Sequence, residues 1–130
     1  MKNKTFALLL FFATSIAAAC STQNTKITAP TLVGKWQLTE TLSDPGDGSG
    51  KWMPAEKGNV QVVAFGKDGS VSGNAMPETS HYAITDSIHL ALTQQGNVAP
   101  ITYRYKITQN TLTLNPPCRE ACGMRYIRVK

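Results

Sequence analysis

Few residues of this 130-residue chain could do chemistry, and their spacing bounds what that chemistry could be. Cys118 and Cys122 stand four apart in Pro117-Cys118-Arg119-Glu120-Ala121-Cys122-Gly123. In an exported chain that spacing reads as a disulfide closing a tight loop. The chain-entropy model assigns so short a loop only about 2 kcal/mol, so its expected role is to fix the last hairpin. Metal ligation would need further donors, and His81 and His89 sit on other segments without ligand spacing. No metal and no cofactor is expected. Asp44, Asp47 and Ser49 invite comparison with a calcium loop, but the third and fifth positions counted from Asp44 are Gly46 and Gly48, not oxygen donors. A turn-rich loop is the better reading. For catalysis the chain offers His81, His89, Asp86 and scattered serines, with no nucleophile elbow and no carboxylate pair. No catalytic residue is expected, and the histidines are expected to face solvent.

Cys20 is a different case. Lys2 and Lys4 form a positive start, Phe6 to Ile16 an apolar run too short for a comfortable membrane span, and Ile16-Ala17-Ala18-Ala19 leads directly into Cys20. This resembles a bacterial lipobox, in which the chain is cut before the Cys and the new N-terminus is lipidated. The expectation is a signal peptide over 1–19, then a lipidated Cys20 with a polar tether over 20–30, then one domain over 31–130. Membrane attachment would come through the lipid, each buried methylene of which contributes about 0.8 kcal/mol. The absence of an acidic run after Cys20 favours an outer-membrane lipoprotein facing the periplasm.

The elements that must carry these residues are strands. The Leu32–Leu38 stretch is the expected anchor of the first, running to Leu42: Trp36 and Leu38 share one face, Lys35 and Gln37 the other, and Gly34 leaves room for a close approach. Lys51-Trp52-Met53-Pro54 is expected to continue the breaker-dense loop 43–50, with Trp52 folding back over a rim. Further strands are expected at 60–65, 70–74, 81–85, 88–92, 101–108, 111–114 and 124–129, with Asp68-Gly69 and Gln109-Asn110 as hairpin turns. Alternation places Tyr82, Ile84, Ile88, Leu90 and Leu92 inward. It is clearest at Ile101, Tyr103, Tyr105 and Ile107 against Thr102, Arg104, Lys106 and Thr108. Eight short strands argue an all-β fold, a small eight-stranded antiparallel up-and-down barrel, which removes exposed edges. An open sandwich is the alternative. The net charge of +5 falls to +3 without Lys2 and Lys4, and the basic residues form no stripe, so nucleic-acid binding is not expected.

At Gly34-Lys35-Trp36 the chain resembles the calycins, the lipocalin superfamily. The wider series comprises Asp44 to Trp52, Val63-Ala64-Phe65 before Asp68-Gly69, and Cys118 to Cys122 before Arg125-Tyr126. It is similar to bacterial lipocalin-like lipoprotein domains. The resemblance implies that a basic residue near the chain's end packs on Trp36, with Arg128 the candidate and Arg125 the runner-up. It also implies that an interior Arg and Tyr set could hold a carboxylate. That makes Tyr103, Tyr105, Tyr126 and Arg128 candidate ligand-binding residues, although rings filling a core and Arg128 sealing the Trp36 end is the more economical reading. Two functions follow as expectations. One is a lipid-anchored envelope barrel that binds a small hydrophobic or amphiphilic molecule in its mouth. The other is a non-enzymatic structural or protein-interaction module, with a filled barrel and loop 44–57 as its contact surface.

Overall fold

The structure is a computed structural model and describes residues 30–97 and 99–130. The expected signal peptide, the lipidated Cys20 and the tether up to residue 29 lie outside the described residues. The strands are β1 (Gly34–Ser43), β2 (Lys51–Pro54), β3 (Val62–Phe65), β4 (Val71–Ser72), β5 (Thr79–Ile84), β6 (His89–Gln94), β7 (Ile101–Ile107), β8 (Thr111–Asn115) and β9 (Cys122–Val129). There is no helix among the described residues.

The sheet order is β4-β3-β1-β9-β8-β7-β6-β5, with β2 paired to β1 beside this path. All pairings are antiparallel. Leaving β2 aside, neighbours in the sheet are neighbours in the chain, and the last strand closes on the first. The eight-stranded sheet therefore curls into a nearly closed up-and-down barrel. Its seam lies between β4 and β5, where a Ser70–His81 bridge and the Tyr82 N–H to Gly69 carbonyl bond (2.8 Å) span the gap. The Tyr82 ring meets Phe65 edge-on at 5.2 Å, and its hydroxyl donates to the Gly66 carbonyl, so side chains tighten the seam where the ladder is short.

β1 is the hub. One edge pairs with β9 from Lys35 to Ser43; the other serves β3 with its first half and β2 with its second. The change of partner falls at Thr39, where the register against β9 slips between Leu38 and Glu40. This is a β-bulge, and one extra residue reverses the facing of everything beyond it. Trp36 and Leu38 point into the core, whereas Glu40 and Leu42 point outward opposite Arg125 and Gly123. The bulge lets a single long strand serve two neighbours. It also makes Lys51–Pro54 a strand in its own right, not a continuation of the preceding loop.

The interior is packed. Trp36, Tyr126, Phe65, Leu90, Leu92, Leu112, Leu114 and Val63 are each under 2% exposed or close to it. Leu32, just before β1, and Met76, in the β4–β5 connection, are buried against the same cluster from opposite ends. Two positions expected inside are outside: Ile84 is 54% and Ile88 46% exposed. The reason is strand length. β4 has two residues and meets β5 only through the Ser70–His81 bridge, so the β5–β6 hairpin outruns it. β7 still borders the tip, its Tyr105 amide bonded to the Ile88 carbonyl (2.8 Å), but nothing covers Ile84 on the β4 side or the tip's end. The strand expected at 70–74 shrinks to Val71–Ser72. The last strand begins earlier than expected, at Cys122.

One end of the barrel is sealed by Trp36 and Arg128, opposite each other on β1 and β9. The Arg128 guanidinium lies 4.1 Å from the centre of the indole. Its Nε donates to the Gln109 carbonyl (2.8 Å), Nη1 to Val33 (3.0 Å) and Nη2 to Thr31. The indole Nε1 donates to the Leu32 carbonyl (2.8 Å). Gly34 has φ 136°, and a Cβ there would come within 2.5 Å of Arg128 Nη1. Arg128→Ala should destabilise the domain by about 2–4 kcal/mol, because it strips charge-assisted bonds and a ring contact together. Arg128→Lys should recover less than half of that, since an ammonium carries its donors on one atom and cannot span the carbonyls that Arg128 reaches with three separate nitrogens, nor lie flat on the indole. Urea unfolding midpoints at constant slope measure both, and a lysine variant as stable as the parent would contradict the clamp.

Candidate functional site

The strand directions sort the connections into two groups. Residues 31–33, the turns 66–69, 85–88 and 108–110, and the C-terminus lie at the end sealed by Trp36. The connections 44–50, 55–61, 73–78 and 116–121, and the residues 95–97 that follow β6, gather at the opposite end. That loop-bearing end holds most of the polar organisation expected of a site.

Asp44 builds its first loop. One carboxylate oxygen accepts from the amides of Gly46 (2.8 Å) and Gly48 (3.2 Å), the other from Gly50 (3.0 Å). Backbone donors around a carboxylate favour its charged form, and those of Gly46 and Gly50 hold the Asp44 carboxyl below its ordinary range. Asp47 repeats the device on Ser49, whose hydroxyl and amide lower the Asp47 carboxyl likewise. Glycines at 46 and 48 supply the positive φ values, 105° and 77°, that the turn requires. Both Asp44 oxygens are thus committed to the loop's own backbone.

The second loop packs beside the first. The Cys118–Cys122 disulfide closes it, with Cα atoms 6.1 Å apart. Its Ala121 carbonyl accepts from the Asp44 amide (3.0 Å), and Asn115 Nδ2 donates to the Cys122 carbonyl (2.8 Å). The disulfide therefore braces two loops, not one hairpin alone.

Beneath them, on the barrel's outer face, Trp52 and Arg125 stack at 3.9 Å, and Arg125 Nη1 meets Glu40 Oε2 at 3.0 Å. Gly123 makes the stack possible: a Cβ there would lie 2.8 Å from Trp52 Cη2 and 2.6 Å from Asn115 Nδ2. The chain's two tryptophans each have an arginine from β9, on opposite faces of the wall. Arg125 and Arg128 are three apart and so cannot share a face of one strand. The parity of β9 could have assigned them from sequence, because Arg128 shares its face with Tyr126. Glu40 and Gly123 were the functional-site residues missed; their placement depends on the bulge at Thr39, which leaves no local signal.

The four candidate ligand residues occupy separate places. Tyr126 is 1% exposed in the packed interior, its hydroxyl 3.3 Å from the Met124 sulfur, and burial pushes its phenol pKa far up. Tyr103 lines the barrel mouth at the loop-bearing end with Met76, Thr79 and Met124, in a depression of 230 Å³, and burial raises its phenol too. Tyr105 reaches the opposite rim, where its hydroxyl bonds the Asp86 carbonyl (3.4 Å). Arg128 gives three nitrogens to backbone carbonyls. A wider open depression, 780 Å³, lies on the outer wall, where Arg104, Lys106, Asn115 and Glu120 contribute. His81 is exposed; His89 is half-buried, its Nδ1 2.8 Å from Asp86. Among the described residues no three His, Cys, Asp or Glu side chains form a metal-holding group.

Comparison with protein-family models, with curated proteins and with solved structures finds no match for the chain. Its functional reading therefore rests on its own geometry.

Two expected outcomes test the site's construction. The Asp44 carboxyl is lowered on folding, so its support for the loop is fully present above the ordinary aspartate value near 3.8 and is lost as pH falls through the lowered value. Amide protection at Gly46, Gly48 and Gly50 should hold at neutral pH, collapse only in strong acid, and be absent at neutral pH in Asp44→Ala. Protection that survives in Asp44→Ala would contradict the assignment. Separately, reducing the disulfide should cost about 2 kcal/mol in a denaturant titration and loosen the 44–50 loop as well as 116–121.

Proposed function

We propose that the chain is a lipid-anchored lipoprotein of the bacterial cell envelope, a lipocalin-like barrel that works as a non-enzymatic protein-contact module. The contact surface is the loop-bearing end, centred on loop 44–57. The observation that carries this reading is the filled interior set against the organised loops. Large side chains occupy the barrel, from Trp36 at one end through Leu90, Leu112, Leu114 and Tyr126. The loops, in contrast, are held by a carboxylate turn, a disulfide and the Trp52–Arg125 stack. Pre-organised loops on a rigid scaffold suit recognition, since little ordering entropy remains to be lost on binding. Trp and Arg are also the side chains most enriched where binding energy concentrates. Met53, 60% exposed on β2 beside Trp52, adds an apolar contact on that end.

A second reading is favoured by one observation, the depression where Tyr103 and Met124 meet Met76. At 230 Å³ it falls below the roughly 300–1,000 Å³ of ordinary ligand pockets, so a small apolar or amphiphilic molecule would sit in the mouth, not the interior. A photo-crosslinking residue placed at Ser49 and, separately, at Lys67 on the sealed end separates the two. The contact reading expects a discrete protein adduct in the native envelope from position 49 and not from 67. It also expects that adduct to weaken at least severalfold in Asp44→Ala. Equal labelling from both positions, or a small molecule that co-purifies in native mass spectra and disappears in Tyr103→Ala, would overturn it in favour of the mouth site.

A further inference from the structure

The end sealed by Trp36 carries features that the contact reading does not use. The β5–β6 hairpin tip projects there past the end of β4, bordered on its other side by Tyr105 of β7, and leaves Ile84 and Ile88 more than two-fifths exposed. The charges divide between the two ends. The sealed end holds Lys35, Lys67, Lys106, Arg128 and Lys130 against Asp68 and Asp86. The loop-bearing end holds Asp44, Asp47, Glu56, Glu78 and Glu120 against Lys51, Lys57 and Arg119. Arg104 lies on the wall between them, where Glu40 and Arg125 also pair. The two carboxylates of the sealed end are engaged locally. Asp86 accepts from the amides of Ile88 and His89 (2.8 Å each) and meets the His89 ring, and Asp68 accepts from the Ser70 amide and hydroxyl.

The described chain begins at this same end, where the Thr31 carbonyl is held by Arg128. Cys20 lies ten positions before Pro30. Ten residues reach at most about 33–36 Å when fully extended and average about 16–19 Å as a flexible chain.

From these we infer that the sealed end docks on an anionic bilayer surface, with Ile84 and Ile88 at the headgroup boundary and Lys67, Lys106 and Lys130 facing the lipid charge. This rests on the lipid-anchor reading for its geometry. The short reach of the tether holds the domain at high effective concentration over the membrane, so contacts too weak to bind alone are enough to orient it. Apolar side chains ringed by lysines are the combination that binds such a surface, and its strength falls with salt. The acidic end is then turned away from the bilayer, which presents loop 44–57 outward.

The test uses the acylated chain on phosphatidylcholine–phosphatidylglycerol vesicles, with a spin label at Ile88→Cys or at Met53→Cys. Both sites are exposed, so the labels leave the core untouched. The docked orientation expects the ratio of oxygen to aqueous-chelate accessibility to be severalfold higher at 88 than at 53. The difference should shrink in pure phosphatidylcholine and in high salt. Equal, water-like accessibility at both positions on the anionic vesicles overturns the inference. An intact mass without acyl chains would overturn the anchor reading instead. In that case the mature Cys20→Ser chain carries the docking test alone: salt-sensitive co-sedimentation with the same vesicles that is lost in Ile84→Asn/Ile88→Asn supports it, and no sedimentation overturns it.

Discussion

One guanidinium on one indole organises this molecule. Arg128 sits 4.1 Å over Trp36 and spends its donors on three carbonyls from two segments: Thr31 and Val33 on the approach to β1, and Gln109 in the β7–β8 turn. The first and last strands would close a barrel by backbone pairing alone. The clamp adds a lid that fixes where the chain enters and ends. A buried indole needs its N–H paired, and the Leu32 carbonyl does that at 2.8 Å, so the lid leaves no orphaned donor. Gly34 is required because the arginine passes where a Cβ would stand.

The same strand supplies the other half of the architecture. Once the bulge at Thr39 reverses the facing of β1, Glu40 and Leu42 go outward, and β2 finds an edge to pair with. Trp52 then lands on the outer wall against Arg125, over a glycine that could carry no side chain there. The result is a molecule with two tryptophan–arginine contacts of different consequence. The inner one closes the fold; the outer one stiffens the platform beneath the loops. A single inserted residue separates a core strand from a surface strand.

What was legible in the sequence follows the range of the interactions involved. Asp68-Gly69 marked its turn, and the alternation from Ile101 to Thr108 marked a wall strand, because both signals are local. Trp36 announced a core anchor by its size and flanking pattern. Ile84 and Ile88 misled, because alternation reports which residues are apolar and not whether they lie past the end of the packed interior. β2 was hidden for a related reason: four residues after a glycine-rich loop form a strand only because β1 bends past them. The pairing of Arg125 with Trp52 needed the bulge, and the bulge is a tertiary outcome. At the loop-bearing end, Asp44 and its glycines spelled out a turn, while the packing of that turn against the disulfide loop was not readable from either segment alone.

The barrel is a solid body closed by Arg128 on Trp36. Nuclear magnetic resonance of the Arg128 side chain tests it most directly. Its Nε proton should resolve separately, exchange slowly with water and shift strongly on Trp36→Phe, because it donates to the Gln109 carbonyl while the guanidinium lies over the indole. A side-chain signal averaged to the position of free arginine, and indifferent to the identity of residue 36, would contradict it.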